Sequence, residues 1–434
     1  MLVAYSSLVL AVLILGSPYW LLRMVTSGRY RAGLSQRLGR VPESLKAAIA
    51  GHDVIWLHAV SVGEALAATR LVHDLEQALP GCRVVISTTT VTGQSLARER
   101  FGSERVFFYP LDLPWAVRRF LGALQPKMLV LMESELWPAM LDQCRRARIP
   151  VAVVNARVSD RSFRRGLRLR PVWSRVLEQV RMFAAQSDED GQRLIQLGAR
   201  ADSVHIAGNL KYDVRAPKQS RAAELIRNAA GRRPVVVAGS TTADNDQDEE
   251  SALLHAWNQV LKSVPDAVLV VAPRHPERFG LVYSLMQKYG PVRATELMAG
   301  TPAPLQPGSS ILLDTIGDLA AVYGVSDVAF IGGSLVQKGG HNPLEPAQFG
   351  VPVVMGPSYQ NFRNIIRRMR EADAIRIVQD GDQLAATLIG WLQSPAESRA
   401  IGEHARSVFE TESGATARTI EMLAAVLQEK AVSR

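Results

Sequence analysis

The chain has 434 residues, 47% hydrophobic and 21% charged, a balance that excludes both a largely disordered chain and a multi-span membrane protein. At about 150 residues per domain it divides into two or three, and two cysteines, Cys82 and Cys144, are too few for a disulfide framework or a cysteine zinc site, so a reducing compartment is expected. The net charge is +9 and only eight of the 50 basic residues are lysine; arginine's planar fork suits phosphate and carboxylate, so the partner is anionic: nucleic acid, acidic lipid or a phosphorylated substrate.

In chain order, the first feature is an uncharged stretch from Met1 to Leu22 with an aliphatic centre, Leu8 to Leu15. As helix it would span ~33 Å, enough for a bilayer core. Gly16-Ser17-Pro18-Tyr19-Trp20 is a poor cleavage sequence, and Tyr19 and Trp20 stand where interfacial aromatics belong. Arg23, Arg29, Arg31, Arg37 and Arg40 follow without an acid between them. The expectation is one inner-membrane anchor with a cytoplasmic body; Pro18 leaves open a helix that lies in one leaflet.

Short β-branched runs then alternate with helical stretches, the pattern of parallel α/β folds. Predicted strands are Val54–Ala59, Arg83–Ser87, Val106–Tyr109, Met128–Met132, Val151–Asn155, Phe183–Ala185 and Val204–Ala207, with helices such as Gly63–Ala78 and Pro138–Ala147 between them. The segment 211–220, KYDVRAPKQS, has charge and a proline but no apolar period and reads as a linker. The pattern restarts at Pro234–Gly239 and continues through Ala267–Ala272, Ile311–Leu313, Val328–Gly332, Val351–Met355 and Ile375–Val378. The predicted fold is α/β: an anchor (1–22), a first doubly wound domain (23–215) and a second with C-terminal helices (216–434), facing one cleft. Ligands of such sheets gather at the carboxyl ends of strands. No GxGxxG follows a first strand and GxxxxGK[ST] is absent, which removes most support for a dinucleotide oxidoreductase or a P-loop enzyme.

Four stretches sit at such strand ends. Glu64, in HAVSVGE, is either a first-turn acid that complements the helix dipole or a general base over the cleft. Glu133 and Glu135 follow Met128–Met132 at what is usually the rim of a site, and at most one of them is expected to face a substrate. In PRHPER (273–278), Arg274 emerges at a strand tip and suits a phosphate, whereas Arg278 reads as a surface charge. In GGSLVQKGGHNPLEPA (332–347), paired glycines let backbone amides approach an anion. Asn342 can cap a helix that starts near Pro343, and Glu345 can accept two hydrogen bonds from a ribose diol. His341 is either a packed neighbour or a phosphate contact. Separately, Arg161–Arg175 interleaves six arginines with Phe163, Leu167, Leu169 and Trp173; this is either a surface for anionic lipid or a solvated helix face, and with a membrane anchor nucleic acid is the weaker choice.

These stretches, in order, resemble the 3-deoxy-D-manno-octulosonic acid (Kdo) transferases of lipopolysaccharide assembly. The resemblance runs through WLHAVSVGE (56–64), ESELWP (133–138), NARVSDRS (155–162), AAQSDEDGQR (184–193), GNLKYD (208–213), PRHPERF (273–279) and GGSLVQKGGHNPLEPA (332–347). It implies a GT-B fold, two Rossmann-like domains with acceptor on the first and nucleotide sugar on the second. It further implies metal-independent, inverting transfer of Kdo from CMP-Kdo to a lipid A precursor at the cytoplasmic face of the inner membrane, with no cofactor. On the family's pattern Glu64 is the base, Glu133 and Lys211 stabilise charge, and CMP contacts fall on Pro273 and Arg274, on Ile316, Gly317 and Asp318, and on Asn342, Pro343, Leu344 and Glu345. Asp318 departs from the pattern, which has glutamate there. The alternatives are another membrane-associated GT-B enzyme that uses a UDP-sugar, separated by donor specificity, and a non-catalytic lipid-binding scaffold, against which Glu64, Arg274, Asn342 and Glu345 argue.

Overall fold

The computed structural model describes residues 31–213, 220–244, 247–300 and 305–432, with parts of 5–17. The anchor expected over 1–22 lies largely outside these residues, and among the described ones no helix is long and apolar enough to cross a membrane. The chain forms two units, Met1–Asp213 with Gly414–Arg434, and Val214–Ser413.

The first unit is built on seven parallel strands: β1 (Asp53–His58), β2 (Cys82–Thr88), β3 (Val106–Phe108), β4 (Met128–Met132), β5 (Val151–Ala156), β6 (Met182–Ala185) and β7 (Val204–Ile206). Their order is β3-β2-β1-β4-β5-β6-β7, which reverses between β1 and β4. Both faces are covered, so β4 is buried at all five positions and carries no polar residue. Alternation divides β1 between two cores: Val54 and Trp56 pack with Phe107 and Phe120 on one face, Ile55 and Leu57 with Leu71 and Leu75 on the other.

The second unit repeats the plan with β8 (Val235–Thr241), β11 (Val268–Pro273), β12 (Val292–Arg293), β13 (Ser310–Leu312), β14 (Val328–Ile331), β15 (Val353–Met355) and β16 (Ile375–Ile377), in the order β12-β13-β11-β8-β14-β15-β16. A small hairpin, β9 (Ala243–Asp244) and β10 (Gln247–Asp248), follows β8. Here the order reverses between β8 and β14. In doubly wound sheets such reversals open the crevice in which ligands bind.

Two boundaries differ from the expectation. Residues 211–213 of the predicted linker are packed: Tyr212 is buried, and buried Asp213 accepts hydrogen bonds from Gly414 N (3.2 Å) and Thr416 N (2.8 Å) and pairs with Arg70 at 3.2 Å. Residues 214–219 lie outside the described residues. The final helix, Ala415–Val432, belongs to the first unit rather than the second, because Ala415, Leu423 and Val426 close its core against Leu71, Val72 and Leu75. Chain order alone carries no sign of that return.

Candidate active site

Glu64 and Glu133 leave the carboxyl ends of β1 and β4, the two strands that flank the reversal in the first sheet. Ser61 caps the helix Val62–Ala78, its hydroxyl accepting from Glu64 N. The Glu64 carboxylate reaches back to accept from Val60 N at 2.8 Å and from the Ser61 hydroxyl at 3.0 Å. The backbone donor is Val60, one residue ahead of the N-cap Ser61, so this is not a strict capping box, but Glu64 does tie down the first turn of its helix. It is not the whole account. Glu64 is only 7% exposed, and burial, with the charges of Glu133 and Glu135 added, pushes its carboxyl up from 4.5 to about 7, against the lowering by Val60 N and Ser61. A helix cap needs no such value; a proton acceptor near neutral pH does.

Both acids of ESELWP therefore act on Glu64, where at most one of them was expected to face a substrate. Strand geometry ends at Met132: Glu133 takes a left-handed backbone, φ 55°, which turns the chain at once. Its carboxylate receives the Lys211 ammonium at 3.0 Å, and burial, with Glu133 beside it, holds the Glu135 carboxyl above the usual range. The structure thus brings Glu64, Glu133 and Lys211 into one cluster, although 147 positions separate the first from the last. His58, at the end of β1, is fully buried, bonds Ser87 through Nδ1 at 2.9 Å and stacks on Tyr109 with ring centroids 4.0 Å apart. Burial pulls it down to about 3, so it stays neutral.

In the second unit, β8, β11 and β14 deliver three loops. Arg274 follows β11 and is exposed; its backbone N–H donates to the Thr241 carbonyl at 2.9 Å, while its guanidinium makes no hydrogen bond or ion pair among the described residues. Its charge acts on His341 and on Glu345, so these three come together from two segments. Burial drives the Glu345 carboxyl up to about 7 against the pull of Arg274, and burial with Arg274 brings His341 down to about 4. Asn342 stands one residue ahead of the N-cap, Pro343, which has no side-chain cap bond, but its Oδ1 does accept from Leu344 N at 3.0 Å. The helix that follows, Leu344–Ala347, is a single turn, and Pro343 and Leu344 are buried. Ile316 is 82% exposed, Gly317 takes φ 95°, and Asp318 accepts from the Ser220 hydroxyl at 2.9 Å; among the described residues no hydrogen bond or ion pair joins this loop to Arg274 or Glu345. Pro273 ends β11 and is buried.

Two expectations are corrected here. The amides of the glycine-rich loop do meet an anion, but it is the chain's own. Buried Glu249 accepts from Gly333 N (2.7 Å), Ser334 N (3.0 Å), Leu335 N (2.9 Å) and Thr242 N (3.2 Å). Gly332 is needed for closeness, since a Cβ there would meet the Ser240 carbonyl oxygen at 2.5 Å. Nor is Arg278 a surface charge. It bonds fully buried Glu250 at 2.7 Å and Asp248 at 2.9 Å, so its guanidinium compensates a carboxylate in the interior.

Sequence reasoning missed Asn155, Gln186, Asn209, Ser240 and Glu249. Asn155 (φ 55°) and Ser240 (φ 58°) share with Glu133 the left-handed backbone at a strand end. A polar residue directly after an apolar strand was the available signal; the dihedral angle was not readable.

Residues 32–214 match the family described as 3-deoxy-D-manno-octulosonic-acid transferase (kdotransferase). The 3-deoxy-D-manno-octulosonic acid transferase of Haemophilus influenzae is 35% identical over 410 residues, 93% of each chain. Among solved structures, the C-terminal CMP-Kdo binding domain of WaaA from Acinetobacter baumannii is 34% identical, covering 43% of this chain and 95% of that one, with a TM-score of 0.39. MurG from Acinetobacter baumannii is 16% identical with a TM-score of 0.52, over 86% of this chain and 99% of that one, a likeness of fold. The chain belongs to the 3-deoxy-D-manno-octulosonic acid transferase family of glycosyltransferases.

Proposed function

We propose that this Kdo transferase takes its sugar from CMP-Kdo and delivers it to a lipid A precursor of the lipid IVA type. Glu64 accepts the proton of the acceptor's primary hydroxyl as the hydroxyl oxygen bonds to the anomeric carbon. The bond from that carbon to the CMP phosphate oxygen breaks on the opposite face, so configuration inverts. Glu133 and Lys211 stabilise charge beside the reacting atoms. Arg274 neutralises the departing phosphate without a metal ion, and Glu345 holds the ribose diol with Asn342, Pro343 and Leu344; the backbone of Ile316, Gly317 and Asp318 completes the CMP contacts. The fold is the GT-B type. The observation that carries the reading is the Glu64 carboxyl, buried at a strand end and poised near pH 7 beside the Glu133–Lys211 pair.

A lipid acceptor must be met at the membrane, since each methylene withdrawn costs ~0.8 kcal/mol. The arginine-rich stretch suits that role. It forms the helices Asp160–Arg168 and Arg170–Leu177, with Leu167, Leu169 and Val172 exposed among Arg164, Arg165, Arg168 and Arg170. The protein accordingly works at the cytoplasmic face of the inner membrane. The test is to incubate the purified protein with CMP-Kdo and a tetra-acylated lipid A precursor and weigh the lipid by mass spectrometry. The expected product carries added Kdo; an unmodified lipid, with Kdo accepted only by another acceptor, overturns the proposal.

A further inference from the structure

Lys211 sits in a short turn, Leu210–Tyr212, with no strand or long helix to hold it. What does hold it is a closed ring of side-chain hydrogen bonds. Asn155 Oδ1 accepts from Leu210 N at 3.0 Å, and Asn209 Oδ1 accepts from Lys211 N at 3.0 Å. Asn209 Nδ2 donates to Gln186 Oε1 at 3.0 Å, and Gln186 Nε2 donates back to the Asn155 carbonyl at 3.0 Å. Asn155 is the extra residue where the β5–β6 register shifts between Val154 and Ala156, a bulge that re-aims its side chain. The same β5 segment holds the other half of the ion pair, because Glu133 N donates to the Val154 carbonyl at 2.9 Å. One point of the backbone, 154–155, therefore sets both Glu133 and the turn that carries Lys211.

Asn155 is costly twice. Its backbone is left-handed, and its Nδ2, fully buried, has no partner among the described residues. An apolar residue would avoid the second cost, so what the side chain supplies is the acceptor for Leu210 N.

We infer that Asn155, with Gln186 and Asn209, is a positioning residue that keeps the Lys211 ammonium against Glu133. The inference rests on the proposed roles of Glu64, Glu133 and Lys211. The charged groups that act on Glu64 are Glu133 and Glu135 and, through its ion pair, Lys211. Further along the helix of Glu64, Arg70 pairs with Asp74 and with Asp213, and the helices packed on it carry Arg98, Glu99 and Arg100, and Arg418 and Glu421. When Lys211 drifts away, Glu133 is no longer offset and Glu64 holds its proton to higher pH.

The experiment is Asn155→Gly in the full chain, since glycine accepts a φ of 55° and deletes only the acceptor. It should lower kcat roughly 10- to 100-fold with CMP affinity unchanged. The acid limb of kcat/KM should move up by about one pH unit. In a Lys211→Met background Asn155→Gly should add no further loss. An acid limb that stays in place, or losses that multiply in the double variant, overturns the inference while the Lys211→Met defect leaves the lysine's role standing. A Lys211→Met enzyme with native turnover removes that role and the inference with it. Should thermal unfolding show Asn155→Gly to be unfolded, Gln186→Met opens the ring from its other side and is held to the same outcomes.

Discussion

In the proposed mechanism the Glu64 carboxylate both ties down the first turn of a helix and accepts a proton, and the two uses differ in what removing the charge does. Glu64→Gln keeps an oxygen for the first turn, so CMP affinity, which the proposal assigns to the other unit, should stay near native while kcat falls roughly 100-fold or more; turnover assays with CMP calorimetry decide it. The same substitution has a thermodynamic signature. The folded pKa, about 7, lies above the unfolded value of 4.5, so the native protein binds the extra proton between them. Glu64 therefore contributes stability that is present below pH 4.5 and lost as pH rises through 7. Glutamine has no such loss, so the stability of Glu64→Gln relative to the native protein should rise from pH 5 to pH 7.5 in denaturant unfolding. A flat difference would mean that Glu64 titrates normally. Glu345 is the corresponding residue in the second unit: Glu345→Ala should weaken CMP by roughly 1.5–3 kcal/mol, and equal affinities would make it structural.

Among the elements, the strands are legible because parallel strands covered on both faces read as apolar runs. Met128–Met132 is predicted and observed with the same ends, and Val54–Ala59 is displaced by one residue. The two-residue strands β9, β10 and β12 are too short to have a period. The glycine-rich loop shows what a motif leaves unsaid. Its glycines announce an anion near the backbone, but only the fold brings Glu249, more than 80 positions earlier, under Gly333, Ser334 and Leu335. Glu249→Leu would strand four amides, three of them buried, and should cost at least ~2 kcal/mol in unfolding experiments and loosen the loop ahead of Asn342 and Glu345. Native stability would instead show that water replaces the carboxylate easily.

For the whole molecule, the final helix is the element that chain order misassigns. Removing 414–434 uncovers Leu71, Val72 and Leu75 of the first unit and leaves Asp213 without its two amide donors. Losing burial of Ala415, Leu423 and Val426 should cost roughly 4–6 kcal/mol, a large share of ordinary domain stability, and thermal melting of the shortened chain checks it. An unchanged melting temperature would make the helix an appendage.

The sequence by itself determined the two parallel sheets, the strand ends on which Glu64, Glu133, Arg274 and Glu345 stand, and the resemblance to a transferase family, since apolar runs, turn residues and ordered motifs are local properties. The tertiary structure alone decided which of these residues meet. Glu64 acquires its near-neutral carboxyl from burial and from charges some 70 positions away, Lys211 its place from a ring through Asn155, Gln186 and Asn209, and Arg278 its interior role from Glu250. Burial and through-space charge depend on distance in space, and a linear pattern does not contain them until the chain has folded.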